Sequence, residues 1–372
     1  MSSNKSSARH PSPNPRLKAK KQQKKSSFSI LRLVATFVVP YMAFLLFSRS
    51  GFFKKTLQRL GFSKGKSAST YVDGLPTYFT LPSGDKIPSV ALGVWKAEPA
   101  DVKGAVKAAL EAGYRHIDEA WAYGNEAEVG EVIKASGIPR KDIWITSKLW
   151  NNHHAPEDVE GAIDESLSKL GTDYLDLYLI HWPVAFGKDG KLDVKLTEDP
   201  YPTWKKLEEM VEKGKVKNIG VANFNIRRME ELLAQPLKIK PAVNQVELNY
   251  WNPQPELLKW AKEKGILLQA YSPLGSSDKV KETLELPEVK DVAKELGITP
   301  AQVIISWHIQ RGTVVLPKSV TPSRVVENLK VTALPQAAFD RLEKAATSHE
   351  PIKVLDPSPH WGVDLWDVKL KK

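Results

Sequence analysis

Four side chains of this sequence have the types and the placement to act on one group. Asp118 and Tyr123 lie within residues 113–130, Lys148 ends the run Ile145-Thr-Ser, and His181 follows Tyr178-Leu-Ile. Each stands at or just beyond the carboxyl end of an apolar run that reads as a buried strand, where α/β folds place their chemistry. Taken singly, His181 reads as a satisfied core imidazole, and Lys148 with Asp118 as a structural ion pair. Together at successive strand ends they suit the reduction of a carbonyl. A carbon that accepts hydride develops negative charge on its oxygen, so a proton donor must stand beside it. The Tyr123 phenol serves if the Lys148 ammonium brings its pKa down from roughly 10. Asp118 would hold Lys148 charged, and a neutral His181 would hydrogen-bond the carbonyl oxygen. None of these groups can supply hydride, which calls for a nicotinamide cofactor.

Such a set needs strands whose carboxyl ends converge. Strand patterns fall at residues 89–94, 114–118, 143–149, 176–181, 216–222, 242–247, 266–271 and 313–317. Amphipathic helical patterns alternate with them at 101–112, 126–136, 156–170, 203–213, 226–234, 253–264, 300–311 and 323–329. Eight β-then-α units in roughly 250 residues predict a closed parallel (β/α)8 TIM barrel. The alternative is a doubly wound open sheet, but no Gly-x-Gly-x-x-Gly follows any strand. Residues 78–80 and 86–87 read as an N-terminal β-hairpin. Gly113 closes the first helix, and Asn125 is placed to cap the helix that begins at Glu126.

The 372 residues and 42% hydrophobic content allow a sizeable core. Without cysteine there is neither a disulfide framework nor a thiolate nucleophile, and no metal site is expected. The net charge of +11 is a property of one end. Residues 1–70 hold 15 of the 54 Lys and Arg and none of the 43 Asp and Glu, so residues 71–372 carry 39 against 43. That distribution argues against a nucleic-acid partner for the folded part. Residues 1–27 read as a disordered basic tail. Residues 28–47 are apolar apart from Arg32 and long enough, at about 30 Å as a helix, to anchor in a bilayer. A cleaved mitochondrial presequence is the competing reading. Residues 48–70 read as a basic linker, and residues 71–372 as the barrel.

Three stretches carry a resemblance to the aldo-keto reductases. Residues 113–130 hold the family's Gly-Tyr-Arg-x-Ile-Asp pattern with Tyr123, Glu126, Val129 and Gly130 in place, Lys148 and His181 match the rest of its tetrad, and residues 316–328 reproduce its cofactor motif. The resemblance implies a monomeric barrel that reduces small carbonyl compounds with NADPH. Lys318, Ser319 and Arg324 place two cations and a hydroxyl at a helix start, suited to a 2′-phosphate. By resemblance, Asn223 and Gln245 would hold the nicotinamide carboxamide and Tyr271 would stack on its ring, with Ser272, Leu274, Glu327 and Asn328 as further cofactor contacts. Asp118 belongs to both sets. Trp95, Trp150 and Trp182 would wall the substrate pocket beside His181, and residues 352–366, containing Trp361 and Trp366, would form a specificity-determining lid.

Two positions depart from the pattern. Ala222 stands where the family has Ser, losing one carboxamide hydrogen bond of about 1 kcal/mol. Glu119 stands where a small residue is usual, and strand alternation turns it away from the barrel interior toward the helices. The alternative function is a membrane-attached, NADPH-binding redox sensor or channel-associated subunit with little turnover. A nucleic-acid tether through the basic tail is a third reading, disfavoured by the adjoining apolar segment. With no Asn-x-Ser/Thr acceptor after residue 70, the catalytic domain is expected on the cytosolic face of endoplasmic reticulum or mitochondrial outer membrane. Sugars, glycerol-type polyols and hydrophobic carbonyls all stay open as substrates.

Overall fold

The structure is a computed structural model that describes residues 74–366. The basic tail, the apolar segment 28–47 and the linker lie outside the described residues. Among those described, no helix is long and apolar enough to cross a membrane.

Among the described residues the first element is a hairpin, β1 (Tyr78–Thr80) against β2 (Lys86–Pro88), with Phe79 opposite Ile87. Eight parallel strands follow: β3 (Leu92–Gly93), β4 (His116–Asp118), β5 (Trp144–Leu149), β6 (Leu175–Ile180), β9 (Val216–Ala222), β10 (Val243–Glu247), β11 (Leu267–Tyr271) and β12 (Val314–Leu316). Each pairs with its neighbour in sequence order. A short antiparallel ribbon, β7 (Ala185–Phe186) and β8 (Leu192–Asp193), interrupts the series after β6. The cylinder closes where Val90 pairs with Val315 and Gly93 with Lys318, through Ala91 N–H to Val315 O at 2.9 Å and Gly93 N–H to Pro317 O at 3.2 Å.

Period-2 alternation sorts the barrel strands between two cores. On β6, Leu177 and Leu179 join Val243, Val314, Leu316 and the hairpin's Ile87 in an interior cluster. Tyr178 and Ile180 instead join the layer between sheet and helices. Ser83 donates to Asn218 at 2.7 Å, and Asn218 donates to Asp85 at 2.7 Å, tying the hairpin to the barrel. The other end, where the strands finish, is left for the site.

The outer helices include α1 (Pro99–Ala112), α2 (Glu126–Ala135), α3 (Pro156–Leu170), α4 (Val194–Glu198), α5 (Tyr201–Glu212), α6 (Ile226–Leu233) and α7 (Pro255–Lys264). Then come α8 (Ser276–Glu285), α9 (Pro287–Leu296), α10 (Pro300–Gln310), α11 (Pro322–Asn328), α12 (Gln336–Ala346) and the single turn α13 (Ser358–Trp361). The structure shifts several sequence expectations. The strand expected from residue 114 begins at His116, because Tyr114 N–H is taken by Ala109 O at 2.9 Å in the cap that Gly113 forms at φ 108°. Asn125 does not cap α2 with its side chain; its amide donates to Val94 O and Ala97 O instead. Five helices, α4, α8, α9, α12 and α13, fall outside the sequence expectation. α8 buries only Thr283 and so carries no apolar stripe, whereas α9 buries Val289, Val292 and Ala293 at helical spacing.

Gly130 on α2 sits on the end of α3: a Cβ there would stand 2.5 Å from Leu170 O and 2.7 Å from Leu170 Cα. Helix propensity alone favours Ala over Gly by about 1 kcal/mol, but backbone cannot yield as a side chain can. Gly130→Ala is therefore expected to destabilise, by about 1–3 kcal/mol on the scale of an overpacked core. A thermal midpoint equal to or above that of the unaltered protein would show that α2 and α3 are not in this contact.

Candidate active site

Lys148 is the centre of the site. It is the penultimate residue of the all-buried strand β5 and is 0% exposed. Its three ammonium protons meet three oxygens: Asp118 Oδ2 at 2.8 Å, the Glu119 carbonyl at 2.7 Å and the Tyr123 hydroxyl at 3.2 Å. β4 supplies Asp118, and the single 3-10 turn Trp121–Tyr123 brings the phenol back over the ammonium. The other Asp118 oxygen accepts from Gln245 Nε2 at 2.7 Å, and the same amide donates to Gln269 Oε1 at 2.8 Å. A polar line thus crosses the barrel through β5, β4, β10 and β11.

His181 follows β6 with its ring edge-on to Tyr123 at 5.7 Å and to Trp150 at 5.1 Å between centroids. Burial, with the Lys148 ammonium adding, holds its imidazole well below the ordinary histidine pKa. It is therefore neutral and offers one ring N–H. Three other buried imidazoles are also neutral, His116 at about 4 and His154 and His308 at about 3, chiefly through burial. His116 bonds Thr146 and the Pro88 carbonyl and belongs to the core.

The phenol departs from the sequence expectation. Burial pushes Tyr123 well above the ordinary tyrosine value, and the Asp118 and Glu119 carboxyls push in the same direction. The ammonium produces no net lowering, first because the phenol is buried and then because the carboxylate that fixes the ammonium also faces it. What the 3.2 Å bond provides is a cation already in place for the phenolate left when the proton departs.

A cavity of about 680 Å³ opens over this set. Asp118, Tyr123 and His181 lie in its lining, with Trp95, Trp150 and Trp182 as wall. Asn223, Gln245 and Tyr271 line it as well; Tyr271 donates to Asn223 Oδ1 at 2.8 Å, and Asn223 donates to His181 O at 2.9 Å. Ser272 and Leu274 border it, and Lys318 and Arg324 stand on it beside the closure of the barrel. Asn223 and Ser272 hold left-handed backbone, φ 64° and 49°. Lys148 lies behind the lining. Ser319, Glu327 and Asn328 do not line the cavity; the Glu327 carboxylate accepts from Thr299 at the start of α10 at 2.8 Å. Of the lid aromatics, Trp361 lines the cavity, whereas Trp366 packs on Trp182 and donates its indole N–H to Asp356. Ala222 is buried in the interior cluster.

Sequence reasoning missed Trp121 and Gln269, and it named Leu355 only as part of the lid 352–366. Trp121 stands between two residues already singled out and lines the cavity, its indole N–H held by Glu165 at 2.9 Å. Gln269 was visible as a polar residue in the apolar strand Leu267–Tyr271. Leu355 lines the cavity from the tail.

The profile of the Aldo/keto reductase family matches residues 89–347. The chain belongs to this family. A glycerol 2-dehydrogenase (NADP(+)) of Saccharomyces cerevisiae is 42% identical over 297 residues, covering 75% of this chain and 94% of that protein. An aldehyde reductase of the same organism is 43% identical over 299 residues, covering 76% and 94%. The solved aldose reductase of Schistosoma japonicum superimposes with a TM-score of 0.72 at 37% identity, covering 79% of this chain and 99% of that one.

In this aldo/keto reductase Glu119 is fully buried. One oxygen accepts from Ala120 N–H at 3.3 Å and the other has no partner. Its side chain faces Glu126 of α2, whose carboxylate is held by Ser147 at 2.6 Å and Ser166 at 3.2 Å. Burial first, then Glu126, pushes the Glu119 carboxyl well above the usual range. The fold therefore binds the Glu119 proton more tightly than the unfolded chain does. Its contribution to stability is full below the unfolded value of about 4.3 and is lost as pH rises toward the folded value. Glu119→Gln keeps a neutral polar group there, so it is expected to leave the thermal midpoint unchanged at about pH 4 and raise it at about pH 8. A midpoint unmoved at the higher pH would mean that Glu119 is ionised in the fold.

Proposed function

We infer that this protein is an NADPH-dependent oxidoreductase that reduces aldehydes or ketones to alcohols, reversibly. The observation that carries this reading is a phenol bonded by a buried ammonium at 3.2 Å, the ammonium itself fixed on Asp118 at 2.8 Å, beneath a cavity that also bears Lys318 and Arg324.

The residues present fit the cofactor. Lys318 and Arg324 are exposed cations on the cavity, suited to a phosphate that NADH lacks. Both N–H groups of Gln245 are committed to Asp118 and Gln269, which leaves its amide oxygen as acceptor for a carboxamide. Tyr271 would lie against the nicotinamide ring, and Asn223 would share the carboxamide. NADPH, when bound there, would supply the hydride that the carbonyl carbon accepts. Tyr123 gives its proton to the carbonyl oxygen, and Lys148 stabilises the phenolate that remains. A raised phenol pKa does not forbid this step. The alkoxide's conjugate acid is about as weak an acid as water, weaker than a phenol, so the transfer runs downhill. Neutral His181 is placed to orient the same oxygen with its N–H. The intact tetrad does not favour a subunit without turnover.

Residues 28–47 are proposed to anchor the protein in a membrane, with the reductase domain on the cytosolic face of endoplasmic reticulum or mitochondrial outer membrane. A cleaved presequence is the alternative. Support comes from length and hydropathy alone.

Tyr123→Phe is expected to lower kcat by about 10²–10⁴, the usual worth of a general acid, while NADPH binding survives. Turnover at the unaltered rate in that variant would remove Tyr123 from the chemistry. In cells, the full chain is expected in the alkaline-carbonate pellet, with its C-terminal domain digested by protease added to intact organelles. Release by carbonate would refute the anchor, and protease protection would refute the cytosolic placement.

A further inference from the structure

We propose that Glu247 is a positioning residue for the bound carbonyl compound. It latches residues 352–366 across the mouth of the cavity and so fixes the wall against which bulky substrates pack. The proposal rests on the carbonyl-reductase reading of the cavity.

Glu247 ends β10 and is 1% exposed. Its carboxylate accepts the Val354 N–H at 2.9 and 3.2 Å on its two oxygens and the Leu355 N–H at 2.9 Å. Asn249 Nδ2 adds a further bond at 3.2 Å. Backbone donors converging on a buried carboxylate make charge-assisted bonds, stronger than neutral ones and fixed in direction. Two residues before Val354, Ile352 N–H donates to Trp251 O at 2.7 Å. The start of the tail is therefore fastened to the top of one barrel strand.

That start decides where the rest lies. Leu355, Pro357 and Trp361 line the cavity, and Trp361 packs edge-on to Trp182 at 5.1 Å and to Trp150 at 6.3 Å. The segment also closes on itself. Lys353 Nζ stands 3.6 Å from the Trp366 ring centre, and the Trp366 indole donates to Asp356 at 2.9 Å. Gln245, bonded to Asp118, lies two residues before Glu247 and so on the same face of β10. At about 3.3 Å of rise per residue, one strand sets Gln245, which braces Asp118, and Glu247, which holds the lid, roughly 7 Å apart. The lid thus takes its position from the element that also braces the catalytic carboxylate.

The test uses the full chain, NADPH, a small aliphatic aldehyde and a bulky aromatic one. In Glu247→Gln, kcat/KM for the aromatic aldehyde should fall by about tenfold or more through KM, the scale of one lost charge-assisted bond. The small aldehyde's kcat and the NADPH dissociation constant should stay within about twofold. Val354→Pro removes a donor from the other side of the latch and should give the same split, and the double variant should be no worse than the more affected single one. If Glu247→Gln does not fold, Val354→Pro carries the same measurement. Equal losses on both aldehydes, a loss confined to kcat, or no change on either would overturn the latch. Absence of turnover by the unaltered protein would instead overturn the reductase reading, and the latch with it.

Discussion

A single buried ammonium organises this protein. Lys148 has three protons and no acceptor capacity, and each proton is spent on a different oxygen: a carboxylate, a main-chain carbonyl and a phenol. A cation taken fully out of water is tolerable only with such partners, and losing one from a buried pair typically costs about 3–5 kcal/mol. The carboxylate, the 3-10 turn and the strand that presents them must therefore keep their places together. Because the second Asp118 oxygen is held by Gln245 and that amide by Gln269, the demand reaches across the barrel to β10 and β11. The closed sheet meets it by giving each of these side chains a strand whose register is fixed on both edges.

The same low-dielectric setting sorts charge around the ammonium. His181 is neutral because it is buried and faces a cation, and Glu119 holds its proton because it is buried and faces another carboxyl. Tyr123 is driven to its protonated form by burial and by the carboxyls beside it. The charged groups that remain are those with a partner, Lys148 with Asp118. Farther out, Lys318 and Arg324 are exposed and available to a phosphate. A dry, neutral donor set near the reacting oxygen and open cations beside the barrel closure is the division that a dinucleotide and a carbonyl together require.

Much of this was written in local pattern. Strands with every residue buried read as apolar runs, and a Lys or His at the end of such a run is conspicuous because burying it is costly. Hence Asp118, Lys148 and His181 could be placed at the mouth of a barrel from residues near them in sequence. Other features leave no local trace. α8 buries one residue, so its sequence has no apolar face to betray it. Asn125 looks like a helix cap, but a carbonyl 31 residues away competes for its amide.

By itself, then, the sequence determined the eight β-then-α units of the barrel and which polar side chains stand at the ends of its strands. These follow from side-chain chemistry and from periodicities of two and 3.6, which neighbouring residues are enough to define. Tertiary structure alone decided the direction in which Tyr123 and Glu119 titrate, which cofactor-motif residues face the cavity, and what holds the tail. Those depend on desolvation and on partners brought together from distant strands, as when Glu247 meets Val354 across 107 positions. Burial and long-range pairing exist only once the barrel has closed.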